Sequence, residues 1–142
     1  MTPASSARRD GHATGMAGEF FVMEKLFRLG HEPALTLGNA KSIDVLVRKA
    51  DGTLREISVK AIRGGGKWGV SSADESRETA RVYVFLLYRD FDDPRADVDV
   101  FVVPARDVHR LKEPWFKGHA LYCSNKEARA KLEKYRDAWH HV

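Results

Sequence analysis

The stretch Arg81–Tyr88, RVYVFLLY, constrains the fold most, because it is apolar almost throughout. A strand with one solvated face alternates apolar and polar residues, whereas a strand covered on both faces does not. We therefore expect a buried strand whose sheet carries a layer on each side. A chain of 142 residues is long enough for one such domain. Its hydrophobic content of 43% excludes a wholly disordered chain.

The surrounding patterns predict an α/β protein with a central mixed sheet of four to five strands flanked by helices, in the order α-β-β-β-α-β-β-α-α. The strands 42–49 and 53–62 alternate and are joined by Asp51-Gly52, which is typical of a hairpin turn. Residues 1–14 are expected to form a flexible leader, and residues 15–142 a single domain. The last helix is expected to begin with Ser124 as its cap. The other elements are helices at 16–29, 72–80, 104–111 and 124–140, strands at 32–37, 81–88 and 97–103, an edge strand at 120–123, and a loop at 64–69.

The remaining composition limits the class of protein. A single cysteine, Cys123, excludes a disulfide within the chain. A single cysteine also fits a reducing cytoplasm, which is where we expect the protein. The sequence contains no run of about 18 apolar residues, so we expect no membrane span and no membrane partner. The formal net charge of +4 is compatible with a polyanionic partner.

Glu19 lies among apolar residues on the first predicted helix. At about 100° per residue, the apolar side chains within about 100° of it on either side are Met16, Phe20, Val22, Met23, Leu26, Phe27 and Leu29. A carboxylate in the middle of such an apolar stripe needs a partner, because an unpaired buried charge is very costly. That partner is either a neighbouring salt bridge or backbone group, or a metal or catalytic pocket.

Asp44 and Lys60 occupy the middle of the two hairpin strands. Asp and Lys are both disfavoured in strands, so their presence there needs a reason. Strand alternation places Lys60 on the same face of its strand as Glu56 and Ser58. A cross-strand ion pair between Asp44 and Lys60 is one explanation, and a functional site is the other.

These residues lie in the segments GMAGEFF, LFRLGHE, SIDVLV and REISVKA, which together resemble the PD-(D/E)XK nuclease superfamily, including its Holliday-junction resolvases and restriction-type enzymes. In that superfamily a helix supplies one acid, and a hairpin supplies an aspartate on one strand and (D/E)-x-Lys on the next. The similarity covers roughly 70 residues, from Gly15 to Tyr88. By position, Glu19 corresponds to the helix acid, Asp44 to the aspartate and Lys60 to the motif lysine.

The resemblance implies a restriction-endonuclease-like core and a metal-dependent nuclease that hydrolyses phosphodiester bonds, with DNA as the expected substrate. Glu19 and Asp44 would hold Mg²⁺ or Mn²⁺, hard cations that prefer oxygen ligands. The metal would polarise the phosphate and lower the pKa of a bound water. Lys60 would stabilise the growing negative charge or position that water. A homodimer is a further expectation, because cutting both strands together needs two sites.

The chain departs from the superfamily two residues before Lys60, where Ser58 stands in place of Asp or Glu. We include Ser58 in the predicted catalytic set as a Ser-x-Lys variant. Glu56 shares its strand face but lies about 6.6 Å along the strand. Some restriction endonucleases of the superfamily have Ser-x-Lys with the acid moved to the next helix, about fourteen residues after the lysine. Asp74 and Glu75 follow Lys60 by fourteen and fifteen residues, so Glu56, Asp74 and Glu75 are all candidate metal ligands, although residues 72–75 also match a capping box.

Nucleic-acid contacts are predicted from Lys41, Arg63, Lys67 and Trp68. Basic side chains bind phosphates, an aromatic ring can stack on a base, and glycines such as those at 64–66 allow close backbone approach. A flexible connection between strand and helix is the alternative explanation of that loop.

Three functions follow from these observations. The first is a nuclease. The second is a degenerate nuclease fold that binds nucleic acid or protein without cleavage, which Ser58 favours. The third is a structural domain in which Glu19, Asp44 and Lys60 form only a buried ionic network.

Overall fold

The computed structural model describes residues 6–36, 43–70 and 81–142. The helices are α1 (Ser6–Arg28), α2 (Ala105–Leu111) and α3 (Lys126–Leu132), and single 3-10 turns lie at Glu133–Tyr135 and Trp139–His141. The strands are β1 (Glu32–Leu35), β2 (Val45–Arg48), β3 (Leu54–Arg63), β4 (Lys67–Val70), β5 (Arg81–Tyr88), β6 (Val98–Pro104), β7 (Glu113–Trp115) and β8 (Gly118–Tyr122).

A five-stranded mixed sheet forms the centre of the fold, in the order β1-β2-β3-β5-β6. β3 and β5 are parallel, and the other neighbours are antiparallel. The first six residues of β5 are buried, as expected for a strand covered on both faces. The predicted fold class, a mixed sheet of four to five strands flanked by helices, is therefore confirmed.

Different layers cover the two faces of this sheet. On one face, Val22 and Leu26 of α1 pack against Val45 and Ile57. On the other face, a three-stranded sheet in the order β4-β8-β7 contributes Trp68 and Leu121 to a core that also contains Tyr83 and Phe85. The strands of this three-stranded sheet are short and contain few apolar residues. They pair with one another and bury alternate side chains against the main sheet.

Two predictions in this layer are wrong. Residues 67–70, mostly assigned to a loop, form β4, in which Trp68 and Val70 are buried while Gly69 is not. A four-residue strand that follows three glycines carries too little alternation to be recognised from sequence. The expected edge strand 120–123 is β8, which pairs with a neighbour on each side.

The first helix starts earlier than predicted, at Ser6, so residues 6–14 are helical where a flexible leader was expected. Thr14 is buried in this added part, and its Oγ1 accepts a hydrogen bond from Arg63 Nε at 2.6 Å. Capping by Ser124 is also wrong, because the side chain of Asn125 accepts the hydrogen bond from the Ala128 amide at 2.8 Å. The helix predicted at 72–80 lies outside the described residues.

The last helix is shorter than predicted because the tail crosses the edge of the main sheet. Leu132 and Tyr135 pack in the core under the three-stranded sheet, whereas Ala138 and Val142 pack in the core under α1. Between them the Asp137 amide donates to Val100 O at 2.9 Å. A straight helix would leave one of these apolar groups in solvent, so burial of both breaks the helix. Within the described residues, no helix has the length and apolar character needed to span a membrane.

Gly18 sets how closely α1 approaches the sheet. A Cβ atom at this position would lie 2.9 Å from Ala61 Cβ and 3.1 Å from Leu86 Cδ1. Those contacts are too short, so only glycine permits this distance between helix and strand. The approach matters to the site because Glu19 is the next residue.

We predict opposite effects for alanine at two glycines of α1. Gly18→Ala should lower the free energy of unfolding by about 1–2 kcal/mol, because overpacking outweighs the helix propensity of alanine. Gly15→Ala is the matched control: a Cβ there meets nothing within 4 Å, so we expect a gain of about 0.5–1 kcal/mol. Urea denaturation measures both, and equal gains would show that the contact is not tight.

Candidate active site

Glu19 lies at the border of the buried face of α1. Val22 and Leu26 are fully buried, whereas Phe20 is 57% exposed and Phe27 is also exposed. The apolar arc of the helix is wider than its contact with the sheet, so the predicted central position of Glu19 is wrong. Glu19 is half-buried, with one side toward the sheet and the other toward solvent.

Asp44 stands at the point where β2 begins. Its amide donates to Ile57 O at 2.9 Å, which continues the pairing of Val45 with Ile57. Its Oδ2 accepts a hydrogen bond from the Val59 amide at 2.7 Å. Strand amides lie in the plane of the sheet, so the Asp44 carboxylate lies at the edge of β3 between the two faces.

Beyond this hydrogen bond, β3 has an open edge. Its register with β2 ends at Val45 and Ile57, while its pairing with β5 continues to Arg63. Within the described residues, no strand pairs with β3 on that side after Ile57. The Asp44 carboxylate lies where this pairing ends, and we call the following stretch of the β3 edge, which has no strand partner among the described residues, the notch.

Glu19 and Asp44 meet at this notch. Burial, the charge of Asp44 and a side-chain hydrogen bond with Asp44 together raise the pKa of Glu19 from 4.5 to about 7, with burial as the largest cause. Two adjacent carboxyl groups favour the protonated form of one of them, because two negative charges at short distance repel. Such a pair of oxygen donors is suited to a hard divalent cation, which would remove the repulsion.

The Lys60 side chain lies on the other face of the sheet. Val59 and Ala61 face α1, so strand alternation sends the Lys60 side chain to the opposite face. There it borders a cleft of about 390 Å³ whose other walls include Trp115, Phe116, Lys117 and His119. In sequence Lys60 directly follows Val59, whose amide binds Asp44.

Two further hairpin residues belong to the predicted site: Ser58, which stands at the position of the missing acid, and Glu56, a candidate to replace that acid. Ser58 is fully buried, and within the described chain its hydroxyl has no hydrogen-bond partner. Its strand partner is Tyr83, in the core on the face away from α1. Glu56 pairs with Arg81 at 3.2 Å. The structure therefore brings neither Ser58 nor Glu56 to the carboxylate pair.

The predicted nucleic-acid contacts have different outcomes. The contact predicted for Trp68 is wrong, because this residue is only 1% exposed and its Nε1 donates a hydrogen bond to Leu86 O at 3.0 Å. The Arg63 guanidinium lies 3.6 Å from the centre of the Phe91 ring. The Lys67 ammonium lies 4.9 Å from the centre of the Trp115 ring. Both cations are partly accessible to solvent.

Three predicted site residues, Lys41, Asp74 and Glu75, lie outside the described residues. Within residues 6–36, 43–70 and 81–142, no three His, Cys, Asp or Glu side chains cluster as a metal site would require. The described part of the site thus supplies two carboxylates, Glu19 and Asp44. The sequence analysis did not predict that Trp115 lies at the surface, where it is partly exposed. Its aromatic and basic neighbours in the segment EPWFKG are the feature that could have indicated this.

The fold resembles that of a protein of solved structure. The chain is similar to a bacterial homing endonuclease, I-Ssp6803I, with a TM-score of 0.57 and 16% sequence identity, covering 91% of this chain and 90% of that one. No protein-family model and no curated protein matches the sequence. At this identity the likeness establishes the fold, and the chain shares the fold of a homing endonuclease over nearly its whole length.

The raised pKa of Glu19 predicts a pH-dependent stability. Between its ordinary value of 4.5 and about 7, the folded protein binds more protons than the unfolded chain. The free energy of unfolding therefore falls as the pH rises through this window. We expect Glu19→Gln to raise it by about 1 kcal/mol near pH 8, after allowing for solvent screening, and to have little effect near pH 4.5.

Urea denaturation at the two pH values tests this expectation. The matched control is Glu24→Gln, which changes an exposed glutamate of the same helix and should alter stability by less than about 0.5 kcal/mol at both. A Glu19→Gln effect that is the same at both pH values would contradict the assignment.

Proposed function

We propose that this protein is a divalent-metal-dependent nuclease of the PD-(D/E)XK type that hydrolyses phosphodiester bonds in DNA. One observation carries the proposal: Glu19 and Asp44 meet at the open edge of β3, next to the position of Lys60. The endonuclease-like fold supports it, and so does the net charge of +4.

In this proposal each residue has a separate role. Glu19 and Asp44 hold Mg²⁺ or Mn²⁺, which when bound polarises the scissile phosphate and lowers the pKa of water. The Val59 amide fixes the orientation of the Asp44 carboxylate. Lys60 binds the phosphate from the other side of the strand edge and stabilises charge that develops on it. Arg63 and Lys67 contact neighbouring phosphates of the backbone.

In this proposal the carboxylate pair also makes metal binding depend on pH. A proton shared by the two carboxyl groups satisfies them near neutral pH. A divalent cation has to displace that proton, so the affinity for metal should rise with pH. Two protein carboxylates are sufficient for Mg²⁺ when water and substrate phosphate supply the other ligands.

A binding module without cleavage is the second candidate. It is favoured by the buried Ser58 and by the absence, within the described chain, of a third acid beside Glu19 and Asp44. The notch and its basic residues would then hold nucleic acid without hydrolysing it. The homodimer expected from the sequence belongs to the nuclease proposal, in which two chains cut the two strands.

Cleavage of labelled duplex, single-stranded and branched DNA with Mg²⁺ or Mn²⁺ tests the proposal. We expect Asp44→Asn to lose at least about 100-fold in rate, because it keeps an acceptor for the Val59 amide but removes the charge that binds metal. The control, Asp92→Asn, changes an exposed acid after β5 and should retain activity. Equal cleavage by Asp44→Asn and wild type would refute the site, and metal-independent binding alone would support the second candidate.

Metal binding can be measured without DNA. Mg²⁺ or Mn²⁺ at about ten times its dissociation constant should stabilise the wild type by about 1.4 kcal/mol. We expect the resulting increase in Tm to be larger near pH 8 than near pH 6, since Glu19 must lose its proton. Asp44→Asn should abolish the increase and Asp92→Asn should preserve it. An increase that persists in Asp44→Asn would place the metal elsewhere.

A further inference from the structure

An aromatic hairpin tip borders the cleft that contains Lys60. β7 and β8 pair up to Trp115 and Gly118, so Phe116 and Lys117 form a two-residue turn. The Phe116 side chain is 91% exposed, although the residue is one of the most apolar in the chain. A large apolar ring at the tip of a hairpin costs hydration free energy and packs against little of its own protein.

The backbone of Phe116 adds a second cost. Its φ is +50°, in the left-handed region that glycine and asparagine adopt readily and bulky residues avoid. Glycine would suit this turn better for folding. An aromatic residue in a conformation that disfavours it, with its ring in solvent, indicates that the ring serves something other than stability.

The residues around the hairpin tip indicate what kind of ligand would bind there. Trp115 stands edge-on to Phe116, with the ring centres 5.1 Å apart and the planes inclined at 63°. The Trp115 ring also lies against Gly69, where a Cβ would be 3.6 Å from Cζ3, and the Lys67 ammonium is 4.9 Å from its centre. Lys117 follows in the turn. The tip therefore combines an exposed flat apolar surface with positive charge on each side.

We propose that Phe116 stacks on a nucleobase of the bound nucleic acid, while Lys67 and Lys117 contact the flanking phosphates. A nucleobase is flat and apolar on its faces and is joined to anionic phosphates, which matches both features of the tip. The cleft wall shared by Phe116 and Lys60 places this base beside the proposed scissile phosphate. The base is unpaired or at a disturbed step, since a stacked interior base pair offers no free face. This inference rests on the proposed function for the identity of the polymer.

Fluorescence of 2-aminopurine tests the stacking, because its emission changes when a neighbouring ring stacks on it. The probe is a short oligodeoxynucleotide carrying one 2-aminopurine, single-stranded or opposite a mismatch, with Ca²⁺ in place of Mg²⁺ to hold cleavage back. We expect wild type to quench the probe on binding. Phe116→Gly should abolish the quenching and weaken binding about tenfold, while Tm is equal or higher because the strained turn is relieved.

Three further variants separate stacking from other causes. Phe116→Trp should restore quenching and affinity, whereas Phe116→Leu, which keeps an apolar side chain, should not. Phe27→Ala is the matched control, because it removes an exposed phenylalanine from α1 and should leave both unchanged. Lys117→Gln should weaken binding and lower its salt dependence while quenching persists at saturation.

The outcomes keep this inference distinct from the nuclease proposal. Quenching that depends on Phe116, without any cleavage in Mg²⁺, would support stacking and refute the nuclease. Cleavage that depends on Asp44, with binding and quenching unaffected by Phe116→Gly, would overturn the stacking alone. Absence of binding by wild type, or equal binding by Phe116→Leu and Phe116→Trp, would also overturn it.

Discussion

The burial of β5 on both faces is the constraint on which the rest of the structure depends. Because its residues are apolar on both sides, the main sheet needs two covering layers. α1 supplies one, and the three-stranded sheet with α2 and α3 supplies the other. The tail after α3 crosses the sheet edge and contributes to both. β3, the parallel neighbour of β5, is thereby held between two layers, and among the described residues its far edge is partly unpaired.

That open edge is where a polar group can lie between two apolar cores without being buried completely. The Asp44 carboxylate replaces a strand partner by accepting the Val59 amide. Glu19 reaches the same place because Gly18 lets α1 approach β3 closely. The helix and the hairpin thus bring two carboxylates to the stretch of β3 that has no strand partner among the described residues, and partial desolvation raises the pKa of Glu19.

The two sides of the notch differ in chemistry. The α1 side presents Glu19, and the side of the three-stranded sheet presents lysines and aromatic rings. In the proposed nuclease, the metal would lie on the side of the carboxylates and the basic side chains would contact the phosphate from the other side. This division follows from strand alternation, because consecutive residues of β3 point to opposite faces. Val59 therefore faces α1, and Lys60 faces the three-stranded sheet.

The sequence alone determined the main secondary structure and the residues of interest, because apolar alternation and helical periodicity are local properties. It identified the buried strand β5 and the hairpin of β2 and β3, and it supplied Glu19, Asp44 and Lys60 as candidates for the site. Tertiary structure decided what local patterns cannot carry. It buried Trp68 and Ser58, since which face of a short strand is covered depends on distant elements. It paired Glu56 with Arg81, and it left Phe116 in solvent at a turn whose conformation follows from the pairing of β7 with β8.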